Sequence, residues 1–216
     1  MPRQVDPSLI PEYPDLHFER ALWNAGLSSV GGIDEAGRGC LAGPVTAAVV
    51  ILPNLDEIED ILQGTRDSKQ LQANQRESLR LTIEASASDW SVGWSSQGEI
   101  DQLGIVPATR LAMWRAVNQL SLAAEHLLVD YLALPDIPLP QTRLVKGDAR
   151  SLTIAAASIL AKTHRDAWMV ENNQIFPGYG FSDNKGYGTA QHREAILRLG
   201  PCPLHRRSFA PLRDLQ

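Results

Sequence analysis

No stretch of this 216-residue chain approaches the roughly 18 consecutive apolar residues that a membrane-crossing helix needs, so a spanning protein and a membrane partner are excluded. The opening Met1-Pro-Arg-Gln-Val-Asp lacks the apolar stretch and small-residue cleavage site of a secretory leader. Cysteine is scarce. Cys40 and Cys202 lie far apart with no CxxC or Cys/His cluster, which argues against a disulfide scaffold or a zinc ribbon and for free thiols in a reducing, cytoplasmic setting. There is no GxSxG elbow, no Walker-type phosphate loop and no Cys/His pair in a plausible loop, so the common nucleophilic and nucleotide-binding chemistries find no support. Repeats, low-complexity tracts and an obvious linker are also missing.

The net charge of −5 disfavours a protein that coats nucleic acid indiscriminately, but the charge is unevenly spread. Residues 1–140 hold 9 Lys and Arg against 19 Asp and Glu, whereas residues 141–216 hold 11 against 6. A basic C-terminal third suits a face that meets phosphates; a random excess of surface arginine explains it as well. Apolar periodicity gives a proline-rich extended arm to about residue 15 and a short helix over 17–24. Strands follow from Val30, over 45–52 and around Trp90, with a helix over 74–87 between the last two. An amphipathic helix after Pro107, strands ending at Asp130 and near Asp148, a long helix over 151–172 and a helix over 190–199 complete the order. The expected fold is α/β: an open, mixed, five-stranded sheet with helices on both faces and a C-terminal helical extension over about 172–216. The expected organisation is an arm and short helix over 1–27 and one catalytic domain over 28–216.

Three apolar stretches end in acid: Ile33-Asp34-Glu35, Leu128-Val129-Asp130 and Leu144-Val145-Lys146-Gly147-Asp148. A single such acid is commonly a helix cap or a solvated strand end. Three together, on neighbouring strands, would crowd four carboxylates into one volume, where like charges resist ionisation unless a cation balances them. The set is all oxygen, which fits Mg²⁺ or Mn²⁺ rather than zinc, and paired ions of this kind serve phosphodiester hydrolysis.

Gly32-Ile-Asp-Glu-Ala-Gly-Arg-Gly-Cys-Leu-Ala-Gly-Pro-Val closely resembles the opening signature of the ribonuclease HII family. Asp67-Ser-Lys-Gln-Leu, Leu128-Val-Asp, Lys146-Gly-Asp, Ala156-Ala-Ser-Ile-Leu-Ala-Lys, Lys185-Gly-Tyr-Gly-Thr and His205-Arg-Arg-Ser-Phe are similar to its later blocks, in order, across residues 28–213. The resemblance implies an RNase H-like fold and a metal-dependent endonuclease that cuts the RNA strand of RNA–DNA hybrids. It also implies incision 5′ to single ribonucleotides in duplex DNA, leaving 3′-hydroxyl and 5′-phosphate ends. By the same resemblance Asp34, Glu35, Asp130 and Asp148 match the catalytic, metal-binding acids, and Gly37-Arg38-Gly39 the loop that senses the 2′-hydroxyl. Tyr187 matches the aromatic that packs on the deoxyribose beyond the ribonucleotide, and Lys69, Lys146, Ser158 and Lys162 match phosphate contacts. A monomer is expected, with room for a partner such as a replication clamp.

Two departures stand out. Cys40 replaces the family's usual proline after the glycine–arginine–glycine loop, and Tyr131-Leu-Ala-Leu-Pro replaces a glycine–asparagine start after Asp130. Cys40 reads as a small buried residue, Asp166 as a structural ion-pair partner, and the tryptophans as core. His17, His126, His192 and His205 show no ligand spacing, although His205 beside Arg206 and Arg207 is a candidate phosphate contact. Competing readings are a resolvase- or integrase-like nuclease, which needs no 2′-hydroxyl sensor, and a non-enzymatic hybrid-binding module, which gives the four acids no purpose. Ribonuclease HIII carries a separate N-terminal substrate-binding domain, for which the short arm leaves no room.

Overall fold

The computed structural model describes residues 5–215. Five strands, β1 (Val30–Ala36), β2 (Val45–Ile51), β3 (Asp89–Ser95), β4 (His126–Asp130) and β5 (Gln141–Leu144), form one sheet in the order β3-β2-β1-β4-β5. β1 runs antiparallel to β2, and β2 to β3, whereas β4 and β5 run parallel to β1. The sheet is therefore mixed, as expected. The mostly apolar run of β2, rich in β-branched residues, suits a strand covered on both faces, and every residue of it is buried, Thr46 included.

The α-helices among the described residues are α1 (His17–Asn24), α2 (Ile58–Ile61), α3 (Ala73–Ser86), α4 (Gln97–Leu103), α5 (Ile105–Gln119), α6 (Leu152–Ile175), α7 (Phe181–Asn184) and α8 (Ala190–Leu199). Alternation along the strands feeds two cores. Val30, Ala48, Val50 and Leu128 pack with Ile154, Ala157 and Leu160 of α6, while Ile33, Val49, Ile51 and Val129 pack with Ala112, Met113 and Ala116 of α5 on the other face. Gly32 lets the start of α6 press closely on β1: a Cβ there would sit 2.4 Å from the Thr153 carbonyl carbon. A third cluster joins Leu41 and Ala42 to Met169 and to Tyr179, Phe181, Ile196 and Leu204 of the C-terminal segment.

Several local expectations need correction. Helices α2, α4 and α7 have too few turns to show periodicity, and α4 is separated from α5 only by Gly104 at φ 83°. Helix α5 starts at Ile105, with Pro107 inside its first turn, where a missing N–H costs nothing. Asp148 lies beyond the end of β5, in a 3-10 turn over Gly147–Ala149. Of the tryptophans, Trp23 is core, but Trp114 on α5 is 43% exposed. The described end of the expected extended arm is docked on the domain: Asp15 bridges to Ser151, and Leu16 is wholly buried. No described helix is long and apolar enough to cross a membrane.

Candidate active site

Parallel pairing of β1 with β4 sets Ile33 opposite Val129, so the next residues, Asp34 and Asp130, emerge side by side at one edge of the sheet. The 3-10 turn after β5 brings in Asp148, and its Gly147 amide donates to Asp130 Oδ1 at 2.7 Å. Asp34 is 5% exposed and Asp148 9%, while Glu35 and Asp130 are half-buried. Burial, reinforced by the charges of Glu35, Asp130 and Asp148, holds the Asp34 carboxyl well above its ordinary range. Burial also raises Asp130 against the Gly147 hydrogen bond, and burial together with Asp130 pushes Asp148 up to about 6. The four acids from three distant segments thus act on one another's charge.

Positive charge nearby is limited. Arg38 pairs with Glu35 at 2.9 Å. Lys69, 4.0 Å from Asp67, is partly desolvated, yet the fields of Asp67, Asp148, Asp34 and Asp130 hold its ammonium above the ordinary value. No three His, Cys, Asp or Glu side chains among the described residues form a ready-made metal cage. The convergence is one of field, and the donors it offers are carboxylate oxygens, the chemistry that hard divalent cations take.

Next to the acids opens a cleft of about 320 Å³, lined by Glu35, Ala36, Gly37, Arg38, Gly39, Ser68, Lys69, Ser158, Lys162 and Tyr187. Seven of the expected substrate-binding residues therefore share one cavity. Lys146 does not join them; it is exposed, at φ 55°, ahead of the 3-10 turn. Ser158 Oγ shares a 3.1 Å hydrogen bond with Ser68 Oγ. Lys162 is engaged by Asp166 at 2.8 Å, which bears out the structural ion pair expected of Asp166, and its Nζ lies 5.1 Å from the Tyr187 ring centre. Cys40 is wholly buried, and burial raises its thiol; burial and Cys40 also push the Tyr187 hydroxyl up to about 12.

Two residues that sequence reasoning missed hold this cleft in shape. Arg206, wholly buried, donates from Nε to Gly43 O (2.9 Å), from Nη1 to Arg38 O (2.9 Å) and from Nη2 to Gly37 O (2.7 Å) and Pro44 O (3.1 Å). Arg165, also wholly buried, joins Pro44 O (2.9 Å) and Ala42 O (3.0 Å) to Lys185 O (2.9 Å), tying the glycine-rich loop to the Tyr187 loop. Gly37 has to be glycine here: its φ is +91°, and a Cβ would fall 2.0 Å from Arg165 Nε. The basic C-terminal excess was the available signal, yet at these two positions it serves backbone carbonyls rather than phosphates. His205 is corrected likewise. It is 2% exposed, hydrogen-bonded to His192 at 3.1 Å, and burial with the neighbouring His192 lowers it to about 4, so it cannot meet a phosphate as a surface cation.

Known proteins agree with this architecture. A family model described as Ribonuclease HII matches residues 31–212. A Ribonuclease HII of Geobacillus kaustophilus is 54% identical over 200 residues, covering 93% of this chain and 75% of its own. The crystal structure of ribonuclease H2 from Pyrococcus horikoshii superposes with a TM-score of 0.72 at 26% identity, covering 87% of this chain and 96% of that one. The ribonuclease HII in a complex with PCNA from Archaeoglobus fulgidus gives 0.68 at 26% identity, over 82% and 92%. Sheet, acid-lined edge and likeness together define a ribonuclease H of type 2, an RNase H-like hydrolase with endonuclease activity. Its model match and its 54% relative place it further: the chain belongs to the ribonuclease HII family.

Proposed function

We propose that the cleft hydrolyses the RNA strand of RNA–DNA hybrids and incises duplex DNA on the 5′ side of single ribonucleotides, leaving 3′-hydroxyl and 5′-phosphate ends. Asp34, Glu35, Asp130 and Asp148 would hold two divalent ions, Mg²⁺ or Mn²⁺, and the donor set fits them: every donor is a carboxylate oxygen. Bound ions of this kind supply a water nucleophile at neutral pH and neutralise charge on the attacking and leaving oxygens. The observation that carries the reading is the buried Asp34 carboxyl, pushed up by burial and by three neighbouring acids, a cost that divalent cations would relieve.

The chain's own residues then select and orient. Gly37, Arg38 and Gly39 line the cleft beside Glu35, and with the Gly37 and Arg38 carbonyls occupied by Arg206 the loop is pre-shaped for close approach by a ribose 2′-hydroxyl. Arg38, Lys69, Ser158 and Lys162 offer donors to backbone phosphates, and Tyr187 offers a ring to the following deoxyribose. Lys146, outside the cleft, would meet phosphate further along the duplex. The test is an assay titrated with Mg²⁺ or Mn²⁺ on duplexes carrying no, one and several ribonucleotides. Cutting is expected only with a divalent ion and only where a ribonucleotide is present; an all-deoxy duplex cut at a comparable rate, or full activity in chelator, overturns the proposal.

A further inference from the structure

Behind the Tyr187 loop, His192 and His205 face each other through their Nε2 atoms at 3.1 Å, and both rings are buried. Their hydrogen bonds define the protonation of each ring. Around His205 Nδ1 the Cys202 amide (3.0 Å), carbonyl oxygen (3.3 Å) and Sγ (3.1 Å) all lie within reach, so that nitrogen finds a partner in either tautomer. At the other end His192 Nδ1 lies 2.8 Å from the Tyr187 carbonyl oxygen, which only accepts, so His192 carries its proton on Nδ1 and presents a lone pair at Nε2. The Tyr187 end therefore sets the polarity of the pair: His205 Nε2–H donates to His192 Nε2. This pair of tautomers satisfies both the Tyr187 bond and the bond between the rings, and a second proton on His192 would set two N–H groups against each other.

The Tyr187 carbonyl receives a second donor, the Thr189 amide at 2.8 Å, while Thr189 Oγ1 caps α8 by accepting from the His192 amide at 3.2 Å. The start of α8 therefore grips the backbone of the residue whose ring lines the cleft. Phe181 meets the His192 ring edge-on at 5.4 Å between centroids, which keeps the imidazole from turning. We propose that His192 is a positioning residue, which sets the Tyr187 ring against the sugar beyond the ribonucleotide, and that His205 fixes the tautomer His192 needs. This rests on the junction reading of Tyr187 given above.

The variants His192→Gln and His192→Asn separate the two nitrogens: Gln places its amide near the Nε2 position and loses the donor to Tyr187, whereas Asn keeps a donor near Nδ1. In the full chain, kcat/KM is measured on a duplex with one ribonucleotide and on a long hybrid, beside Tyr187→Ala. His192→Gln is expected to lower the single-ribonucleotide to hybrid ratio about tenfold, the scale of one hydrogen bond lost from a buried carbonyl, and Asn to restore most of it. Equal losses on both substrates, or no rescue by Asn, overturn the positioning role. If Tyr187→Ala changes the ratio and His192→Gln does not, the positioning role falls and the junction reading stands; if Tyr187→Ala leaves the ratio unchanged, both fall. Nitrogen NMR of the imidazoles in the unaltered protein needs no variant. It should find His192 protonated at Nδ1 and His205 at Nε2, and the reverse pair, or a charged ring at neutral pH, overturns the assignment.

Discussion

At the sheet edge Asp34 is 5% exposed, and the charges that act on it are three other acids. Behind the glycine-rich loop Arg206 is wholly buried and spends its guanidinium on four backbone carbonyls at 2.7 to 3.1 Å. Both are charges taken out of water, a step that costs several kcal/mol unless it is compensated. The arginine finds four acceptors within the chain; the aspartate accepts from the Glu35 amide at 2.7 Å and is helped by Ser158, yet burial and the neighbouring acids outweigh both. A group satisfied internally holds shape; a group left unsatisfied waits for something from outside. The histidine pair belongs with the arginine, since each of its nitrogens has a partner.

The contrast breaks if the aspartates and the buried arginine respond alike to substitution. Asp34→Asn or Asp130→Asn should lower turnover on the order of a thousandfold or more, while binding of the hybrid is retained because a negative charge has gone. Single-turnover cleavage and a binding titration on the same preparation check this, and near-normal turnover would sink the metal assignment. Arg206→Met should do the reverse, removing about 3 kcal/mol or more of stability by stranding buried carbonyls, as read by denaturant unfolding.

Titration sharpens the comparison. The carboxyl of Asp148 stands at about 6 in the fold, above its ordinary 3.8, so the metal-free folded state binds more protons than the unfolded chain between those values. Stability of the metal-free protein from this group therefore falls as pH rises through that window, and divalent ions reverse the trend. The rise in Tm on adding Mg²⁺ or Mn²⁺ should be larger by about 2–4 °C or more at pH 8 than at pH 5; an equal rise at both would detach Asp148 from the ion site. The smallest effect is expected at Lys146. Lys146→Ala, outside the cleft, should raise KM about threefold or less and lower the salt slope of binding by about 1, whereas Lys69→Ala, inside it, should cost more.

Strands were legible because β2 is a mostly apolar run between Pro44 and Pro53 and because β1 and β4 run from apolar residues into acids, and α6 because its apolar content persists over many turns. The acids themselves were legible as residue types at the close of strands. Their meeting point was not, since Asp148 arrives through a 3-10 turn in which Lys146 adopts a left-handed conformation. Arg165 and Arg206 escaped notice for a physical reason: their partners are carbonyls, which every residue has, so no side-chain pattern announces the bond. His205 misled for the opposite reason, because its sequence neighbours Arg206 and Arg207 suggested a solvated basic patch, whereas the chain turns His205 and Arg206 inward.

The arm that precedes the sheet has a mechanical consequence. Glu19 of α1, wholly buried, accepts from Ser151 Oγ at 2.6 Å and from the Thr153 amide at 3.0 Å, and the Leu152 amide reaches the Asp15 carbonyl at 2.9 Å. The leading turn of α6 is therefore stoppered by residues that come before the first strand, and the same helix carries Ser158, Lys162 and Arg165 further along. Shortening the protein to begin at β1 would pull that stopper, and the slack would travel down a single rigid rod to the cleft wall formed by Ser158 and Lys162.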